Sequence, residues 1–172
     1  IGFWVLNESC RQVARWPSDV YVAVNVSPVQ LRSDVFPLQL ASALTSFDIA
    51  PSRLEVELTE TALVSDSEQI AASLRSLRKM GIRVAMDDFG TGYSSFAHLR
   101  DFALDWIKID KSFVQIAPTD ASAAAVVSSV VHMAKGLGVG TIAEAVETQE
   151  QLDFLRQIGC SAAQGYLLAR PM

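Results

Sequence analysis

Apolar residues in this chain fall into short β-rich runs, each followed by a stretch with helical spacing. Tyr21–Val26 (YVAVNV) reads as a first strand, and Ser27-Pro28-Val29-Gln30 after it supplies an N-cap, a proline in the first helical turn and a capping-box glutamine. Leu54–Leu58 (LEVEL) is the second strand. Ser65 to Glu68 repeats the capping-box logic before a helix through Leu74, Leu77 and Met80, which Gly81 ends. Ile82–Met86 (IRVAM) and Trp106–Ile109 (WIKI) are the third and fourth strands. A long Ala/Val helix follows and ends near Gly136 and Gly138. Val139–Ala143 is the fifth strand. Thr148 with Gln151 then caps another helix, and Ala162–Leu168 reads as a sixth strand. The chain opens inside an amphipathic pattern, Gly2-Phe3-Trp4-Val5-Leu6, and stops abruptly at Arg170-Pro171-Met172, which reads as a cut at each end.

Strand-then-helix order without Asn-Gly hairpin signals implies a parallel sheet. A doubly wound open sheet and a closed barrel both satisfy it. The barrel is favoured because no glycine-rich phosphate loop follows the first strand, and because polar residues end nearly every strand instead of gathering at one switch point.

Those strand ends carry the chemistry: Asn25, then Glu57, then Asp87 and Asp88, then Lys108 and Asp110, then Glu144, then Gln164. In a parallel barrel all of them open on one face, so a single bowl is expected to collect several carboxylates, an amide and a lysine. So many acids are unfavourable together unless cations compensate, and oxygen ligands select hard ions such as Mg²⁺ or Mn²⁺. Adjacent acids at one strand tip suit a two-ion site for in-line displacement at phosphorus. Singly, each residue has a plainer reading. Asp88 caps the turn into Gly90-Thr91-Gly92, Asn25 is a turn residue before Ser27, Glu60 and Glu147 sit at helix N-termini, and Lys108 pairs with any neighbour. Those readings do not explain why the residues share the same end of successive strands.

Composition narrows the partners. Half of the 172 residues are hydrophobic and the net charge is −5, which suits one domain with a core and argues against a nucleic-acid polymer as ligand. Cys10 and Cys160 form no CxxC pair and read as reduced thiols, consistent with a cytoplasmic setting. The most apolar region, Ala121–Val131, is too short and too interrupted to cross a bilayer, so no membrane contact is expected of this segment. His98 and His132 lie in helical stretches and read as structural.

Five motifs then stand in order: Glu57-Leu58-Thr59-Glu60, Asp87-Asp88-Phe89-Gly90-Thr91-Gly92-Tyr93-Ser94-Ser95, Lys108-Ile109-Asp110, Ala143-Glu144-Ala145-Val146-Glu147 and Gln164-Gly165-Tyr166-Leu167. Together with Asn25-Val26-Ser27-Pro28 they closely resemble the EAL-domain cyclic-di-GMP phosphodiesterases over essentially the whole chain. The resemblance implies a TIM-barrel-like (β/α)8 fold of the EAL type. Here the fold is expected to be truncated at both ends to about six strand-helix units of a single partial domain, residues 1–172. The Glu-Ala-Leu motif itself, with a metal-ligand Glu, belongs upstream of Ile1, and the last helix after Met172.

The resemblance also implies hydrolysis of cyclic-di-GMP to linear pGpG with two Mg²⁺ or Mn²⁺ ions. By motif position, Asn25, Glu57, Asp87 and Asp88 are metal ligands, and Glu147 is a metal-site carboxylate. Lys108 contacts the attacking water, Glu144 is the general base and Gln164 orients water or substrate. Glu60 holds the loop Phe89 to Ser95. A homodimer and sensory domains upstream in the full protein are expected. Two departures stand out: the family often has Gly at Ala145 and Pro at Ala103. The competing readings are a non-catalytic cyclic-di-GMP receptor, an inactive cut barrel prone to swapping through open strand edges, and an enolase-type Mg²⁺ enzyme with a lysine base.

Overall fold

The computed structural model describes residues 1–60, 67–90, 102 and 104–170. Six strands follow in the sheet in chain order, β1 to β6, with helices between them. The chain divides into two compact units, Ile1–Ala85 with Ser94–Leu104, and Met86–Tyr93 with Asp105–Met172. Strand β3 contributes its beginning to the first and its end to the second.

In the first unit, α1 (Gly2–Val13) buries Leu6, Cys10 and Val13 along one stripe, as helical spacing requires. Strand β1 (Val22–Asn25) pairs in parallel with β2 (Leu54–Thr59), in a register that sets Val24 beside Val56 and Asn25 beside Glu57. Between them come α2 (Pro28–Leu31) and α3 (Phe36–Ser46). The expected box before α2 forms: Ser27 Oγ accepts from Gln30 N, and Gln30 Oε1 accepts from Ser27 N. Arg53, just before β2, donates to the carbonyls of Val13, Pro17 and Val20 and so ties the end of α1 to the approach to β1. Helix α4 (Ser67–Lys79) buries Ile70, Leu74 and Leu77 and is stopped at Gly81, whose φ of +89° favours glycine. The Ser65 and Glu68 box before α4 lies partly outside the described residues.

Strand β3 spans Arg83–Phe89, longer than the sequence pattern suggests, so Asp87 and Asp88 are its last polar residues and not part of a following turn. In the second unit, β4 (Trp106–Ile109) pairs in parallel with β5 (Gly140–Ala143), and β5 with β6 (Ala162–Ala163). Helix α5 (Lys111–Val114) follows β4, α6 (Ala121–Leu137) precedes β5 and α7 (Gln149–Ile158) precedes β6. Asp120 caps α6 by accepting from Ala123 N at 2.8 Å, a bond of the kind worth about 1 kcal/mol. Gly138 ends α6 in the left-handed region. The third expected capping box, Thr148 with Gln151, opens α7. Gly140 lies directly under the Trp106 indole: the ring fills the place of any Cβ there.

One expectation changes. The sixth strand stops at Ala163 rather than running to Leu168. Gln164 N donates to Ala143 O, but Val146 N then bonds Gln164 O and Leu167 N bonds Val146 O, so the chain turns across the end of β5. Tyr166, Leu167 and Leu168 are exposed. Both cysteines are free thiols, Cys10 buried and Cys160 half-buried. Among the described residues no helix is long and apolar enough to cross a membrane.

Candidate active site

The ends of β3, β4, β5 and β6 in the second unit bring five of the expected residues together: Asp87, Asp88, Lys108, Glu144 and Gln164. Lys108, on the face of β4 that also carries Trp106, is buried. Its ammonium stands 3.1 Å from Asp87 Oδ1 and 2.8 Å from Glu144 Oε1. Gln164, just past β6, donates from Nε2 to the same Glu144 oxygen at 2.8 Å. Lys108 is thus held between two carboxylates, with an amide fixing the orientation of one.

Asp87, Asp88 and Glu144 each offer a carboxylate oxygen, and the three atoms lie within 4.8 Å of one another. An all-oxygen donor set of three acids fits a hard divalent cation. The electrostatics reflect the crowding. Burial, then the charges of Asp87 and Asp110, raise Asp88 above the ordinary carboxylate range, against the pull of Lys108 and Lys111. Burial also raises Glu144, opposed by the Lys108 hydrogen bond and aided by Asp87 and Asp88. A group that attracts a cation and resists ionising alone is a natural site for one.

Backbone geometry aims these side chains. Asp88 has φ +54° and Ala145 φ +51°, both in the left-handed region that non-glycine residues seldom enter. Ala145, where the EAL pattern often has Gly, thus holds a conformation that favours glycine, and it does so between Glu144 and Glu147. Gly165 passes so close to the Val146 backbone that no side chain fits.

Of the other expected residues, Glu147 belongs to the same unit, and Asn25, Glu57 and Glu60 belong to the first. Glu147 is exposed and lines a neighbouring cavity of about 500 Å³, not the Asp87–Asp88–Glu144 group. That cavity is lined also by Lys111, Gln115, Gln164, Tyr166 and Arg170, with the Arg170 guanidinium 5.3 Å from the Tyr166 ring centre. Tyr166 stands in the Gln164-Gly165-Tyr166-Leu167 motif without a role assigned to it, and Lys111, Gln115 and Arg170 were given no role from sequence. For these three the signal was only their nearness to Lys108 and Gln164 in the chain. In the first unit Asn25, the last residue of β1, is the register partner of Glu57 within β2, Asn25 exposed and Glu57 buried. Glu60, also buried, follows β2. Most of the loop Glu60 was expected to hold lies outside the described residues, as do His98 and Ala103. His132 sits exposed on α6.

With this geometry established, the comparisons place the chain in a family. The EAL domain family matches residues 1–171, and the chain belongs to that family. It is an α/β protein of the TIM-barrel-like EAL type. Among curated relatives it is 44% identical over 162 residues to the cyclic di-GMP phosphodiesterase RocR of Pseudomonas aeruginosa, covering 94% of this chain and 41% of RocR. It is 43% identical over 171 residues to an uncharacterized signaling protein of Caulobacter vibrioides, covering 99% of this chain and 21% of that protein. The chain thus spans well under half the length of these relatives. Among solved structures, the PaMucR phosphodiesterase in complex with c-di-GMP matches with a TM-score of 0.93 at 38% identity, covering 99% of this chain and 71% of that one.

Proposed function

We propose that this chain is the catalytic part of a divalent-metal-dependent phosphodiesterase that opens cyclic-di-GMP to linear pGpG. The observation that carries the reading is the Lys108 ammonium set between Asp87 and Glu144, with Asp88 completing an oxygen triad beside them. RocR and PaMucR, both named as phosphodiesterases, and the manganese/cy-diGMP complex of Klebsiella pneumoniae BlrP1 support the substrate and the ion class.

Asp87 and Asp88 would hold the cations, two Mg²⁺ or Mn²⁺ ions in this reading. Asn25, Glu57 and Glu147 enter as further ligands on the family resemblance alone. Bound there, such ions lower the pKa of water toward about 7 and polarise a phosphoryl oxygen. The rest falls to the chain's own groups. Glu144 Oε1 already accepts from Lys108 and Gln164, so Oε2 is the atom assigned to take the proton from the attacking water. Burial helps Glu144 to hold that proton. Lys108 offsets the negative charge that develops on the phosphoryl group. The cavity lined by Tyr166, Arg170 and Lys111 takes another part of the ligand, and its volume lies within the usual range of about 300–1,000 Å³ for small-molecule pockets. Stacking on Tyr166 suits a base, and Lys111 suits a phosphate.

The relatives' greater length supports sensory domains elsewhere in the full protein. A homodimer and a cytoplasmic location for this segment complete the reading. The test is to supply Mn²⁺ and cyclic-di-GMP to the chain with its upstream segment restored and to follow pGpG. Turnover abolished by Asp87→Asn is the expected result. Micromolar binding with no turnover in the wild type would leave a receptor instead.

A further inference from the structure

The tip of β3 bends twice in three residues. Asp88 has φ +54°, and Gly90, two residues on, has φ +103°. A non-glycine residue in the left-handed region persists only where its surroundings over-determine it. The surroundings here include the segment that follows β4. Asp110 N reaches Phe89 O at a long 3.5 Å. More telling is Phe113 of α5. A Cβ built on Gly90 would meet Phe113 Cε2 at 2.9 Å, Cδ2 at 3.4 Å and Cζ at 3.6 Å, so the edge of the ring is set against the glycine Cα.

Helix α5 is itself firmly placed. The Asp110 carboxylate accepts from Ser112 N at 2.9 Å and from the Ser112 hydroxyl, and Val114 is buried beneath the turn. The same β4 that carries Lys108 therefore runs directly into the turn that carries Phe113. Lys108 approaches the carboxylate strand through Asp87, and Phe113 approaches it through Gly90.

We infer that Phe113 is a positioning residue: by closing on Gly90 it fixes the tip of β3 and hence the direction in which Asp87 and Asp88 present their oxygens. It touches neither substrate nor reacting atoms. As a statement about catalysis, the inference rests on the phosphodiesterase reading above. As a statement about the strand tip, it stands on the geometry alone.

The test compares wild type with Phe113→Ala and Phe113→Leu, the second variant keeping an apolar contact should the first fold poorly. In the metal-free chain, the amides of Asp88 and Gly90 exchange about tenfold faster in Phe113→Ala than in wild type, while α6 and α7 are unaffected. The Mn²⁺ concentration for half-saturation rises about tenfold, and kcat falls by a similar factor. KM for cyclic-di-GMP stays within about twofold, and Phe113→Leu lies between. A lower melting temperature with unchanged exchange at Asp88 and Gly90 and unchanged Mn²⁺ half-saturation would overturn the inference, because a merely structural phenylalanine predicts that pattern. If wild type binds Mn²⁺ but never turns over, the phosphodiesterase reading fails by itself. Exchange at the strand tip then decides the matter, acceleration supporting the clamp and its absence overturning it.

Discussion

Lys108 Nζ lies 2.8 Å from Glu144 Oε1, on the oxygen that Gln164 Nε2 also reaches. The lysine is almost wholly buried, and Asp87 lies 3.1 Å away on its other side. Removing its charge leaves two acids facing each other in a poorly solvated place. Lys108→Met is expected to destabilise the metal-free chain by roughly 3 kcal/mol, as breaking one side of a buried ion pair does. It is also expected to lower kcat at least about a hundredfold if Lys108 stabilises charge in the transition state. Urea denaturation and pGpG release measure the two effects separately. A stable, fully active Lys108→Met protein would remove lysine from the proposed machinery.

The carboxylates give a pH dependence whose sign follows from their shifts. Asp88 and Glu144 both lie above their ordinary values of 3.8 and 4.5, chiefly because burial disfavours the charged form. Over the interval between the ordinary and raised values the folded state binds more protons than the unfolded one. Their contribution to stability is therefore complete below the ordinary values and is lost as pH rises through the raised ones. Bound Mg²⁺ or Mn²⁺ opposes that loss by pairing with the ionised forms. The rise in melting temperature on adding Mn²⁺ should grow from about pH 4 upward, and Asp88→Asn should flatten the trend. A metal-induced shift that does not vary with pH would contradict a site built on these two groups.

How much of this was legible in the sequence depended on whether the signal was local. Two of the three expected capping boxes, Ser27 with Gln30 and Thr148 with Gln151, lie wholly within the described residues and formed as read, because each is a contact between residues three apart. The grouping of Asp87, Lys108, Glu144 and Gln164 was also legible, since parallel strands place their C-terminal ends side by side. The four residues of α5 were not, because one helical turn is too short to show a period. Nor was the early end of β6. Tyr166-Leu167-Leu168 has strand-like composition, but the bonds of Gln164 and Leu167 to Val146 turn the chain away. Phe113 and Arg170 gain their roles from close approaches that no spacing encodes.

Ala145 offers a test of backbone strain. At φ +51° it occupies a region that costs an alanine about 1 kcal/mol relative to glycine. Ala145→Gly should raise stability by about that amount, less the entropy that glycine adds to the unfolded chain. Because the peptide joins Glu144 to Val146, whose backbone is bonded to Gln164 and Leu167, little movement of Glu144 is expected. Equilibrium unfolding compares the two proteins. A loss of stability in Ala145→Gly would mean that the left-handed geometry is absent in solution.

The cavity beside Gln164 separates binding from chemistry. Arg170 stacks on Tyr166 at 5.3 Å, and both line the space of about 500 Å³ that also receives Glu147 and Lys111. Neither side chain belongs to the Lys108–Asp87–Glu144 group, so each should act on the ligand equally in the ground and transition states. Such uniform binding appears in KM and leaves kcat unchanged. Arg170→Ala and Tyr166→Ala are each expected to raise KM for cyclic-di-GMP about tenfold, the scale of one cation–π or stacking contact, with kcat within about twofold. The double variant should fall short of the product of the single effects, because removing either partner already breaks the stack. Initial-rate measurements across substrate concentration decide the matter. A fall in kcat at constant KM would move Arg170 and Tyr166 out of ligand capture and into the catalytic step.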